Sequence, residues 1–460
     1  MRPSLPSLPS LPSSSLKLPK LPRRSHSGEI VGLDIQPGLV AAVKARVNGS
    51  ILAERAAAQP LDADTVREGE VVDVEALTEA LRELFTGSGL GKRVRVGIAN
   101  QRTVMRTIDL PPVTDRKELA AAVRFQAQDQ VPMPLSNAVL DFHPLGIFDT
   151  PTGARQRVVL VAAQRDMVER LLAAVRGAGL TPEGVDLSAF ALIRSLHDRA
   201  EGEEGRVLYL NVDGLTNLAI AEGTTCRFTR VIGGGVEAMA GELAARREIS
   251  LNDARALLAS VDLGVPVPEA LAPARPTQPV DEAVTAIEQA LEQPPAEQAA
   301  SEQAAPADAA QSSEPESEAE GDEHELSLRE HEERERSMGY AETIAATKAS
   351  APEPAPSAAS GEPTDADIRT VLENSVREIA GEVRNSLDFH RTQDQGGEIS
   401  HVSLSGAALD LPGFADALQG TLGIEVRREV VGLVDASLEG KVSTHRLAVA
   451  AGLAATEAPR

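Results

Sequence analysis

Ile30-Val31-Gly32-Leu33-Asp34-Ile35-Gln36-Pro37-Gly38-Leu39-Val40-Ala41-Ala42-Val43 carries the reading of the fold. An apolar run holding a single acid meets a tight Gln-Pro-Gly turn and re-emerges as a second apolar run, the pattern of a hairpin. Asn48-Gly49 makes the next turn, and a third strand starts at Ser50. The design recurs at Val207–Ile232: Val-Leu-Tyr-Leu-Asn-Val, an Asp213-Gly214 turn, Leu-Thr-Asn-Leu-Ala-Ile, a Glu222-Gly223 turn and a third strand through Phe228. Each copy is a three-stranded meander with an acidic or amide residue near its first turn. Singly, either is an ordinary hairpin of an α/β protein. As an ordered pair, each followed by helices, they predict two lobes whose turns face each other. Turn amides point inward as donors, so such a pair can grip a phosphate chain.

Composition agrees with two lobes. At 460 residues the chain exceeds one compact core. It is 42% apolar but 2% aromatic, with no Trp, so its cores must be built from Leu, Val, Ile and Ala, as in sheets covered by helices. The single cysteine, Cys226, excludes an internal disulfide and a cysteine zinc cluster; it reads as a small buried hydrophobe in a reducing cytosol. No run approaches the roughly 20 apolar residues that cross a bilayer, and the N-terminus lacks the apolar core of a secretory signal. Neither direct membrane insertion nor export is expected. The net charge of −24 disfavours nucleic acid as a partner, but it is concentrated: Asp281–Tyr340 holds 18 acids and three arginines. The eight histidines show no metal-ligand spacing, and no serine sits in a nucleophile elbow.

Residues 1–28 are a basic Ser-Leu-Pro repeat, expected to be a disordered tail. Residues 29–104 are the first part of the first lobe: the meander, a helix Val74–Phe85 and a buried strand Val94–Ala99. Residues 105–182 change texture. A strand Met105–Leu110, a helix Lys117–Gln130 capped by Thr114, strands Ala138–Leu145 and Arg157–Ala163, and a helix Arg165–Ala178 make an inserted α+β module. Residues 183–205 return to the first lobe as a helix Glu183–Asp198. Residues 206–265 open the second lobe, with Gly233-Gly234-Gly235 leading into a helix. Residues 266–363, rich in Ala, Pro, Glu, Gln and Ser, cannot bury enough apolar area to offset chain entropy, so a disordered acidic insert is expected. Residues 364–440 complete the second lobe, and residues 441–460 form a C-terminal helix and tail.

The pattern resembles the actin-like ATPase superfamily and, within it, the PilM family of type IV pilus assembly proteins. Val31 to Gly38 is similar to the superfamily's first phosphate hairpin, Leu210 to Asn217 to its second, and Leu404 to Gly413 to its nucleoside loop. Ala122 to Leu135 with Val139 to Phe142 resembles the PilM inserted module, and Glu378 to Phe389 the helix beneath the nucleoside pocket. The resemblance implies a two-lobed actin-like (ribonuclease H-like) ATPase fold of α/β class, with the α+β module in the first lobe and the disordered acidic insert in the second. It implies ATP and Mg²⁺ as cofactors, Asp34 as the metal carboxylate, and Gly38, Gly214, Thr216, Gly234, Gly235 and Gly406 beside the nucleotide. It also implies a groove between module and first lobe for the N-terminal peptide of a PilN-like inner-membrane protein. Phe125, Val131, Pro134 and Leu135 are the candidate groove wall, against core packing as the default for Phe125 and Val131.

The residues depart from an active ATPase in several places. Asn211 stands where a second carboxylate would help hold Mg²⁺. Gln36 and Pro37 replace a glycine and a serine, and Pro37 has no amide to donate. Ala41 replaces a lysine, Ala407 and Ala408 replace glycines, and the charge of Asp213 opposes phosphate. Weak nucleotide binding or none, and negligible turnover, are therefore expected. The leading reading is a cytoplasmic scaffold held at the inner membrane through its partner, alongside other pilus platform and motor proteins. The alternatives are an active actin-fold ATPase or nucleotide-gated switch, and an FtsA-like division protein, although the C-terminal Ala454-to-Arg460 stretch does not resemble the basic amphipathic helix of that family.

Overall fold

Period-two alternation lays the first hairpin into a sheet with two buried faces. In the computed structural model, which describes residues 29–197, 205–265, 365–393, 397–435 and 442–455, β1 (Val31–Gln36), β2 (Leu39–Asn48) and β3 (Ser50–Pro60) form the antiparallel meander. Gly38, at φ 79, closes its first turn in a conformation that L side chains rarely adopt. The tail and the acidic insert expected from the sequence lie outside the described residues. A two-stranded ribbon, β4 (Val66–Arg67) with β5 (Glu70–Val71), leads to α1 (Val74–Phe85), whose N-terminus is capped by the Asp73 side chain accepting from the Ala76 amide. β6 (Arg93–Ile98) then joins β1 in parallel.

The inserted module follows. β7 (Val104–Leu110), α2 (Arg116–Gln130), β8 (Ala138–Thr150) and β9 (Gly153–Gln164) build a three-stranded sheet in the order β7-β9-β8, with Leu119, Val123 and Ala127 of α2 packed on it. Asp115, not Thr114, caps α2: its carboxylate accepts from the Lys117 and Glu118 amides at 2.8 and 3.0 Å. β8 runs past Leu145 because a bulge between Pro144 and Gly146, the latter at φ 139, lets pairing resume. α3 (Arg165–Gly177) buries Met167, Leu171 and Ala174 in the core that also holds Leu77 and Leu81 of α1.

The single helix expected over Glu183–Asp198 is divided. Thr181–Leu187 is a strand, β10, paired in parallel with β6, and α4 (Ser188–Leu196) begins only after it. Pairing along a strand already fixed in the sheet overrides the local helical pattern, and β10 is an edge strand, where Pro182 is tolerated.

The second lobe repeats the plan. β11 (Arg206–Val212), β12 (Thr216–Glu222) and β13 (Thr225–Ile232) form the second meander, followed by α5 (Val236–Arg247), α6 (Leu251–Leu258) and the long α7 (Asp365–Gln393). β14 (Ile399–Ser405) joins β11 in parallel, and after α8 (Phe414–Leu422), β15 (Val426–Arg428) joins β14. β16 (Gly432–Leu433) then crosses to the edge of the first sheet beside β3, and α9 (Ala448–Ala454) ends the described chain. The sheet orders are β10-β6-β1-β2-β3-β16 and β13-β12-β11-β14-β15. Both are a meander with two parallel strands added beside its first strand.

Alternation divides the apolar residues between cores. Val40 and Ala42 of β2 face the α1–α3 side, while Ala41 and Val43 face a core shared by the two lobes. In the second sheet, Leu208, Leu210 and Val212 face the α5–α7 side, while Tyr209, Ala219 and Cys226 face the shared core. Burial pushes the Cys226 thiol up to about 12, which keeps it protonated. At the centre of that core α9 lies against bare backbone. A Cβ on Gly32 would fall 1.8 Å from the Ala450 carbonyl oxygen, and one on Gly452 1.8 Å from that of Ala191. Arg95 donates to the Leu453 and Ala455 carbonyls at 3.0 and 2.8 Å, and Arg194 to the Gly452 carbonyl at 3.1 Å, satisfying the helix's last acceptors. Gly452→Val is expected to push α9 off α4 at a cost of about 1–3 kcal/mol or more, read as a lowered midpoint in urea unfolding; an unchanged midpoint would refute the close packing.

Candidate functional site

The turns of the two meanders meet where the lobes face each other. A Cβ on Gly214, at the β11–β12 turn, would lie 2.2 Å from the carbonyl oxygen of Pro37, at the β1–β2 turn. Asp34 ends the first strand's buried run, and its Oδ2 accepts from Gln36 Nε2 at 2.8 Å. Burial raises the pKa of its carboxyl to about 7; the Gln36 bond opposes the shift, nearby Asp213 adds to it, and Arg446 opposes it.

Asp213 is buried but paired. Arg446, from the segment leading into α9, grips its carboxylate with Nε, at 3.1 Å, and Nη2, and the Gly214 amide donates to Oδ1 at 3.1 Å. Burial works against the Arg446 charge, but Asp213, then Asp410 and Glu237, hold the guanidinium above its ordinary pKa. Asn211 accepts from Ser405 Oγ at 2.9 Å, tying the second hairpin to β14.

Glu237, in the first turn of α5, reaches the first lobe's turn. Its carboxyl carbon sits 2.4 Å from the point a Cβ on Gly38 would occupy, and its oxygens 2.6 and 2.8 Å from it. Arg255 of α6 holds the same carboxylate from behind, donating Nε to Oε1 at 2.9 Å and Nη2 to Oε2. Gly235 approaches the second hairpin closely, since a Cβ there would lie 2.3 Å from the Asp213 carbonyl oxygen; the Val236 amide donates to that oxygen at 2.8 Å. Gly234 adopts φ 96. Gly406, also at φ 96, rests on the Val212 backbone, and its amide donates to the His445 carbonyl at 2.9 Å. The His445 ring in turn bonds Asp410 at 2.8 Å.

The structure thus gathers Asp34, Gly38, Gly214, Gly235 and Gly406 into one web of contacts. Gly234 flanks it, and Thr216 is buried in β12 with its hydroxyl lacking a hydrogen-bond partner. Sequence reading missed Arg446, Glu237 and Arg255. Arg446 lies 233 residues from Asp213, beyond any local pattern. For Glu237, the available signal was an acid two residues after a glycine run at a helix start.

A second concavity, of about 330 Å³, opens between the module and the first lobe. Val139, Asp141, Phe142 and His143 of β8 line one side, with Val159 and Val161 of β9; Asp186 of β10 and Phe190 of α4 line the other. None of Phe125, Val131, Pro134 and Leu135 lines it. Val131 is in the module's core and Leu135 packs against it, whereas Pro134 is exposed and Phe125, on the far side of α2, is 72% exposed.

A family model described as type IV pilus assembly protein PilM matches residues 32–264. The chain belongs to the PilM family of type IV pilus assembly proteins. Among solved structures it is similar to one described as a PilM-PilN type IV pilus biogenesis complex, at 21% identity over 93% of this chain and 97% of that one, with a TM-score of 0.61. That likeness establishes the two-lobed actin-like fold. Weaker likenesses are to the ethanolamine utilization protein EutJ of Carboxydothermus hydrogenoformans, at 14% identity, 92% and 88% coverage and a TM-score of 0.43, and to the ADP-bound MreB5 of Spiroplasma citri, at 10%, 92% and 94%, and 0.42.

Asp34 gives the fold a pH signature. Its carboxyl holds a proton up to about pH 7 when folded but only to about 3.8 as a free aspartate. Folding therefore takes up a proton between these values, and the associated stability, full below the lower value, is lost as pH rises through the upper one, on the order of 1.4 kcal/mol per pH unit. Asp34→Asn removes the titration, so the variant is expected to gain stability relative to wild type between pH 5 and pH 8 in urea unfolding. A difference that stays constant across that range would contradict the buried, protonated carboxyl.

Proposed function

We propose that this PilM-family chain is a scaffold that takes the N-terminal cytoplasmic peptide of a PilN-like inner-membrane protein into the groove between its module and first lobe. Its nucleotide cleft, on this reading, binds Mg²⁺-ATP weakly or not at all. The observation that carries the peptide reading is the groove: a concavity bordered by β8, β9, β10 and α4, lined by apolar side chains such as Val139, Val161 and Phe190 together with Asp141, His143 and Asp186. The structurally similar protein is itself described as a PilM-PilN complex. Attachment to the inner membrane would then run through the partner. Among the described residues no helix is long and apolar enough to cross a bilayer.

The cleft reading rests on how its polar groups are already used. A Mg²⁺ ion needs ionised, accessible oxygens, whereas Asp34 is buried with its carboxyl pKa raised to about 7 and Asp213 is engaged by Arg446. The carboxylate of Glu237 rests on the Gly38 turn, where a phosphate would have to approach. The residues present do not fit a bound Mg²⁺-nucleotide in this arrangement. No catalytic role is assigned to any of them.

Titration with a peptide carrying an Asn-Leu-Leu-Pro motif, followed by Mg-ATP, tests both parts. Val139→Asp, which puts a charge on the groove's apolar side, is expected to weaken peptide binding at least 10-fold, about 1.4 kcal/mol, with little change in melting temperature. Phe125→Ala is expected to leave affinity unchanged. Phe125 is exposed on α2, and the reverse pattern would move the peptide to that face. Saturable Mg-ATP binding at micromolar concentration would reinstate the nucleotide-gated switch or active ATPase.

A further inference from the structure

Glu237 joins the two lobes at the point where an actin-like cleft would receive phosphate, and its partners make it more than a surface acid. It lies on α5 of the second lobe, yet its carboxylate packs on the bare backbone of Gly38 in the first. Glycine is required there twice over, by φ 79 and by the carboxylate that fills the side-chain space. Arg255 donates two nitrogens to that carboxylate, fixing its orientation in the fork geometry that guanidinium also offers to phosphate. The groups that would attract an anionic ligand, a positive-φ turn and the Arg255 guanidinium, are therefore satisfied by the chain's own Glu237.

We propose that Glu237 is a built-in substitute for a phosphate group, locking the two hairpins together without ligand, and that its removal uncovers an anion site formed by the Gly38 turn and Arg255. Two observations bear on this independently: the carboxylate's contact with Gly38 and its bidentate grip by Arg255. A third contact crosses the same gap, Pro37 against Gly214. The inference rests on the weak-nucleotide reading of the cleft and not on the peptide groove. It gives that reading a specific cause: competition from an internal anion rather than loss of the anion-binding groups.

The experiment uses the full chain, with inorganic pyrophosphate and then Mg-ATP as probes, read by thermal shift and calorimetry. Wild type is expected to show no shift at millimolar pyrophosphate. Glu237→Ala is expected to melt lower in buffer and to recover at least 2 °C with pyrophosphate. Glu237→Gln, which keeps the shape and removes the charge, guards against a misfolded alanine variant and is expected to gain binding in the same direction. Reversing the anchor, Arg255→Gln added to Glu237→Ala, should abolish the gain. Hydrogen exchange on wild type adds a readout independent of any variant: the turn amides of Gly38 and Gly214 are expected to be protected without ligand. Folded Glu237 variants that gain no pyrophosphate binding, or unprotected turn amides in wild type, would overturn the lock while leaving a weak cleft intact. Tight Mg-ATP binding by wild type would overturn both.

Discussion

The contact on which the arrangement depends is backbone against backbone: α9 laid on β1 at Gly32 and on α4 through Gly452. A helix of seven residues has almost no stability of its own. This one is apolar on every side, and six of its residues are buried, so its order comes from what surrounds it. Small residues on both partners allow the approach, and Arg95 and Arg194 satisfy the carbonyls that the packing would otherwise strand. The consequences reach the cleft. Arg446 and His445 belong to the turn that enters α9, so the depth at which the helix seats also sets where Arg446 meets Asp213 and where His445 meets Asp410.

Two buried aspartates in one low-dielectric region cannot both stay charged without compensation. Here the compensation is uneven. Asp213 has a bidentate guanidinium and a backbone amide; Asp34 has a neutral glutamine amide. The pair therefore separates into a carboxylate engaged by Arg446 and one that keeps its proton to about pH 7. Gln36 and Asp213, which look like separate losses in the sequence, act on the same carboxyl in opposite directions. The glutamine gives the buried Asp34 carboxyl a donor that limits its pKa rise, and the aspartate gives Arg446 a counter-charge in the cleft.

What could be read in the sequence was what local periodicity encodes. The meanders at Val31 and Val207 show themselves by alternation and by turn residues with positive φ, because both are fixed within a few residues. The duplicated sheet order follows from them. β10 was not legible, because Glu183-Gly-Val-Asp-Leu becomes a strand only beside β6, some 90 residues earlier in the chain. The cleft's charge partners were hidden for the same reason at longer range, since no pattern links Asp213 to Arg446. Phe125 was decidable in principle. Leu119, Val123 and Ala127 recur every four residues and claim the core-facing side of α2, which leaves Phe125 turned outward.

Groove and cleft are built on the same sheet. β10 supplies Asp186 to the groove margin and pairs with β6; β6 pairs with β1, which ends at Asp34 and Gln36. Paired strands are stiff, so the groove can respond to the cleft only if the sheet or its neighbours have two discrete positions to choose between. A cleft held by Glu237 on Gly38 and Arg446 on Asp213 offers one position. On the proposed lock, a peptide entering the groove would meet no prior conformational equilibrium to overcome.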